Sequence, residues 1–130
     1  MIIEAAIGAG SGLALLALFA RMGNRALAEG GYIAFVAMLA VYIGAELVTG
    51  TFDSIITEMV AASAVAVFAR LAMLHWPPAI GVFVLLHGLY DALLGPSTGV
   101  AEWYPPLCAG FDVMVGAGLV GVLHLRNSTN

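Results

Sequence analysis

Five long apolar stretches, each closed by glycine, proline or arginine, constrain this chain more than anything else in it. A helix that crosses a bilayer needs about 20 mostly apolar residues. The stretches run from about Ile2 to Ala20, Gly31 to Thr49, Ser54 to Leu74, Ala79 to Gly95 and Leu107 to Leu125. Arg21, Gly50, the Pro77-Pro78 pair, Pro96 and the Pro105-Pro106 pair stand where helices should stop or start, because proline cannot continue a helix and glycine tolerates the turn. The runs lack the period-two alternation of a membrane barrel. The expected fold is therefore all-α, an integral membrane bundle of five transmembrane helices. The five spans use most of the 130 residues, so residues 1–130 form a single domain with no soluble part.

Composition agrees. Apolar types make up 62% of the residues and charged types 9%. A soluble domain averages about half apolar and about one quarter charged. Disordered chains, nucleic-acid binders and disulfide-stapled secreted domains are excluded. The single Cys108 cannot form an intrachain disulfide and is either a buried small hydrophobe, the commoner case, or a reactive thiol. The N-terminus lacks the positive start of a signal peptide, so the first segment is expected to be retained.

Charge placement predicts orientation. Arg21 and Arg25 follow the first span, Arg70 ends the third and Arg126 follows the fifth. With five spans these share one side, which the positive-inside rule makes cytoplasmic. The N-terminus is then outside and the C-terminus inside, in a multi-pass protein of the cell inner (plasma) membrane. Arg70 is expected to reach toward headgroups.

The acids sort the other way. Glu4, Glu46, Asp53, Glu58, Asp91, Glu102 and Asp112 fall on the outer half, and only Glu29 lies inside. Glu46, Glu58, Asp91 and Asp112 stand within four different spans at a similar expected depth. An ionisable group there costs about 2.5 to 3.5 kcal/mol on insertion scales, so four are hard to explain as packing. His87 and Asp91 are spaced i, i+4 and share a helix face. The aspartate can fix the tautomer of the histidine. The candidate catalytic set is Glu46, Glu58, His87, Asp91 and Asp112.

The remaining features have quieter readings. Tyr90 falls on another face and reads as interfacial. The loop Ala101-Glu102-Trp103-Tyr104-Pro105-Pro106 carries interfacial aromatics or serves as a lid. Gly8 and Gly12, with Gly110, Gly116, Gly118 and Gly121, form close-packing faces for helix contacts or a homodimer. His75 and His124 lie on the inner side, far from the acids.

The motifs Leu85-Leu86-His87-Gly88-Leu89-Tyr90-Asp91 and Cys108-Ala109-Gly110-Phe111-Asp112, preceded by Glu58, resemble a family of small bacterial five-helix membrane proteins. In that family a Glu opens the third span, a His-x3-Asp motif closes the fourth and a Cys-x3-Asp motif opens the fifth. The resemblance covers about Tyr42 to Gly121 and implies a role for Glu58, His87, Asp91 and Asp112. It implies no particular activity. Family histidines that often follow the motif Asp are replaced here by Leu94 and Gly95.

The expected function is a membrane-embedded enzyme with a carboxylate/His acid–base site on a small hydrophobic substrate, of hydrolase, hydratase or isomerase type. The alternatives are a cation- or proton-binding transport protein using the same site, and a structural or assembly protein. Whether a metal or other cofactor takes part is left open by the sequence. Expected partners are the lipid bilayer, a small lipophilic molecule and a second copy of the chain, with no nucleic acid.

Overall fold

A computed structural model describes residues 1–128; Thr129 and Asn130, at the end of the tail, lie outside the described residues. The chain is all-helical, with α1 (Ile2–Phe19), α2 (Asn24–Thr49), α3 (Phe52–His75), α4 (Ala79–Leu93) and α5 (Tyr104–Ser128). A short 3-10 turn, Gly95–Ser97, follows α4. Four of the five, α1, α2, α3 and α5, are long and apolar enough to cross a membrane. Large apolar side chains such as Leu18, Ile33, Val60, Phe68 and Val113 stand exposed on these four helices. Such an apolar exterior suits hydrocarbon rather than water and is compatible with a multi-pass membrane protein.

The fourth expected span departs from the pattern. α4 has 15 residues and is only about 22 Å long at 1.5 Å per residue, short of the roughly 30 Å of a hydrocarbon core. It is also central: Ile80, Val84 and Asp91 have no exposed surface. Within a bilayer, non-helical backbone is tolerated where protein covers it. Here Pro78, Gly95 and Pro105 are buried over the two ends of α4.

Two other boundaries move outward. α2 begins at Asn24 rather than near Gly31, because its polar first turns continue the helix beyond the apolar stretch. α5 takes Pro105 and Pro106 into its first turn, where a missing N–H is harmless and the fixed φ suits a helix.

Small residues decide which helices touch. α5 packs between α1 and α4 along much of its length. A Cβ on Gly8 would run into the Leu107 carbonyl, one on Gly110 into the Ala5 carbonyl, and one on Gly118 into Leu16. On the other flank, a Cβ on Gly81 would fall 2.5 Å from the Gly116 oxygen, and one on Gly116 would fall 2.7 Å from Leu85 Cγ. The glycine faces that suggested a homodimer are therefore consumed inside one chain. Gly121 alone of that set faces open space. α2 and α3 form a hairpin that covers α4.

The four arginines gather at one end. Arg126 donates to the backbone oxygens of Ala20 and Met22, tying α5 to the α1–α2 turn. Arg70 has a partner that the sequence reading did not name. It pairs with Glu29 on α2 at 2.6 Å and lies over the Tyr32 ring, 5.4 Å from its centre. Between this end and the acidic end, Leu27, Phe35, Ile80, Val84, Leu119 and Leu123 fill the core.

Candidate functional site

His87 and Asp91 occupy adjacent turns of α4, and Asp112 sits about two turns into α5. They meet because Gly88, one residue after His87, lets α5 come close: a Cβ there would stand 2.8 Å from Asp112 Cβ. The His87 Nδ1 hydrogen-bonds Asp112 Oδ2 at 2.8 Å and lies 3.3 Å from Asp91 Oδ2. Tyr42, from α2, donates its hydroxyl proton to Asp91 Oδ1 in a short hydrogen bond. Asp91 and Asp112 are fully buried, and His87 is 5% exposed. Asp91 is buried although it stands near the end of α4, because Gly95 and Pro105 close over it beside Tyr42.

Three polar atoms of this cluster have no hydrogen-bond partner: His87 Nε2, Asp91 Oδ2 and Asp112 Oδ1. A buried polar atom left unpaired costs about 1–3 kcal/mol, more if charged, so these three atoms are the costly part of the cluster. In the neutral ring with Nδ1 carrying the proton toward the carboxylates, Nε2 is the acceptor.

Beside the cluster lies a cavity of about 330 Å³, within the range of small-ligand sites. α2, α3 and α4 wall it with Phe35, Tyr42, Glu58, Phe83, His87 and Tyr90, among others. The ring of His87 is enclosed by Tyr42 at 5.7 Å, Phe35 at 6.0 Å and Tyr90 at 6.1 Å between ring centres. Ala61 and Ala62 of α3 face the cavity, and their small side chains leave the space that α3 would otherwise fill.

The expected site residues separate into two groups. His87, Asp91 and Asp112 form one cluster, and Glu58 joins them on the cavity wall. The Glu46 carboxylate instead lies over Gly50 at the α2–α3 turn and does not line the cavity. Tyr90, read as interfacial, turns out to line the cavity and to stack edge-on with Tyr42 at 5.3 Å. Its i, i+3 spacing from His87 was a usable signal, since residues so spaced are neighbours on a helix. Tyr42 has no comparable signal, because a tyrosine in an apolar span reads equally as an interfacial ring. Cys108 is buried, as expected of a small hydrophobe. Trp103 stacks on Tyr104 at 5.9 Å and is largely exposed, while Tyr104 packs against Tyr42.

His87, Asp91 and Asp112 also form the group suited to a metal ion among the described residues, with one ligand atom from each within 4.8 Å of the others. The chain matches no protein-family model, no curated protein and no solved structure.

Proposed function

We propose that this protein is a membrane-embedded enzyme that performs acid–base chemistry on a small lipophilic molecule. The observation that carries the reading is a buried histidine on the wall of an apolar cavity, its Nδ1 held by a carboxylate and its Nε2 unpartnered. Asp112 holds the Nδ1–H, and Asp112 and Asp91 together stabilise positive charge on the ring. Nε2 takes a proton from the substrate, or from a water that attacks it, and returns it to the product. Tyr42 holds Asp91 in place. Glu58 faces the same space and can supply or receive the second proton. Hydrolysis, hydration and isomerisation all fit this pair of transfers. The bundle crosses the membrane with α1, α2, α3 and α5, and α4 is the short central fifth span. The arginine end is cytoplasmic, which puts the site in the outer half of the bilayer. The resemblance to the five-helix bacterial family rests on the same residues.

The test uses a lipophilic alkylating probe, 1-bromo-2-dodecanone, on the protein in lipid nanodiscs. The Nε2 lone pair forms the new N–C bond and bromide leaves. The chain has three histidines, so His75 and His124 are internal controls. His87 is expected to label first, and Asp112→Asn to slow it at least tenfold. Labelling of His75 and His124 with His87 untouched would sink the proposal.

One observation favours a second reading, a divalent-cation site on the same residues. The 2.8 and 3.3 Å separations from His87 Nδ1 to the two carboxylate oxygens suit neighbouring ligands around one ion as well as a hydrogen bond. Imidazole with carboxylates is ordinary ligation. Elemental mass spectrometry of protein purified without chelator separates the two. Near-stoichiometric metal that is lost in His87→Ala supports the cation site, and absence of metal from both samples rejects it.

A further inference from the structure

The walls of the cavity are unbalanced in charge. Glu58 lines it, and Asp91 and Asp112 stand directly behind His87. Carboxylates thus outnumber the one group able to carry positive charge three to one. No arginine corrects this. Arg21 and Arg25 lie at the other end of the bundle, Arg70 is paired with Glu29, and Arg126 is bound to backbone oxygens of Ala20 and Met22. The chain contains no lysine. Carboxylate charge in so apolar a space is offset by a proton or by a cation, and a cationic ligand meets whatever charge persists.

Size and lining say what kind of cation. A volume of about 330 Å³ would hold roughly eleven waters at about 30 Å³ each, yet the walls offer few polar atoms to bind them. An apolar body fits better. Four aromatic rings, Phe35, Tyr42, Phe83 and Tyr90, line the space, and aromatic faces attract alkylammonium groups. Val65 and Leu86 line the cavity while standing 39% and 55% exposed, so it opens sideways onto the apolar surface of the bundle. A ligand reaches it from the bilayer.

We propose that the cavity takes a lipophilic monocation, a tertiary amine or quaternary ammonium with one compact hydrocarbon body, and that this is the substrate class of the site. The inference rests on the acid–base reading above. Glu58 meets the positive nitrogen at the cavity wall, the aromatic rings surround its alkyl groups, and His87 faces the same space. Anionic lipophiles are repelled by the same three carboxylates.

The experiment is equilibrium dialysis of tritiated benzyldimethylhexylammonium against the protein in phosphatidylcholine nanodiscs, with empty nanodiscs as background. Saturable one-site binding is expected. A neutral isostere with carbon in place of nitrogen is expected to compete at least tenfold more weakly, which is about 1.4 kcal/mol. Glu58 is only partly buried, so Glu58→Gln is expected to fold and to weaken binding at least tenfold. The absence of saturable binding, or equal competition by the neutral isostere, would overturn the proposal. If His87 is still alkylated by the neutral bromoketone in that case, only the cation is rejected and the acid–base reading stands. If His87 is also unreactive, both fall.

Discussion

Adding one methyl group at Gly88 tests whether the α4–α5 approach holds the cluster together. A Cβ at this position would stand 2.8 Å from Asp112 Cβ. Carbon atoms rest at about 3.5–4.0 Å, so α4 and α5 must part by roughly 0.7 Å or more. Neither atom belongs to the far end of a flexible side chain, so the strain falls on the helices. The His87–Asp112 hydrogen bond, now 2.8 Å, would lengthen to about 3.5 Å, beyond the range in which such bonds hold. Overpacking of this kind costs about 1–3 kcal/mol. Gly88→Ala is therefore expected to lower the thermal midpoint in mild detergent and to slow alkylation of His87 toward the Asp112→Asn rate. Gly10→Ala is the control, because nothing lies within 4 Å of its added Cβ. If Gly88→Ala matches Gly10→Ala in both midpoint and labelling rate, the close approach does not position the site.

Three further outcomes follow from named contacts. Tyr42→Phe leaves Asp91 Oδ1 without its donor; a hydrogen bond to a charged group contributes about 1.5–3 kcal/mol, so stability by denaturant titration should fall by that order and His87 labelling should slow. Arg126→Ala removes the donor to the Ala20 and Met22 oxygens, so hydrogen exchange at the α1–α2 turn should rise while His87 labelling stays unchanged; slowed labelling would show the two ends of the bundle to be coupled. Cysteines introduced at Thr98 and Ser128 in a Cys108→Ala background should react with a membrane-impermeant maleimide from opposite sides of the membrane, Thr98 from outside, and reaction of both from one side would refute the orientation.

The aspartates and the histidine stood out in the sequence because charge in apolar spans is expensive wherever it lies. That argument works residue by residue and needs no partner. It could not separate Asp112, which meets His87, from Glu46, which lies over the α2–α3 turn. Both occupy apolar spans, and the difference lies in which way each helix faces. It also hid Tyr42, whose hydroxyl becomes informative only beside Asp91.

Helix type and approximate helix ends are written locally. Run length and the placing of glycine and proline specify an all-helical chain, since each helix satisfies its own backbone without help from its neighbours. The gathering of all four arginines at one end follows from the same local facts once the helices alternate in direction. Packing is decided elsewhere. The glycines announced close contact but not the partner, and only the folded bundle shows α5 using Gly110 and Gly118 against α1, and Gly116 against α4. α4 is short because Pro77-Pro78 and Pro96 bound it in the sequence; its central place in the bundle is the tertiary matter. The cavity has no signature in the chain at all. It is the space left when alanines of α3 face aromatic rings of α2 and α4, and empty volume belongs to no single residue.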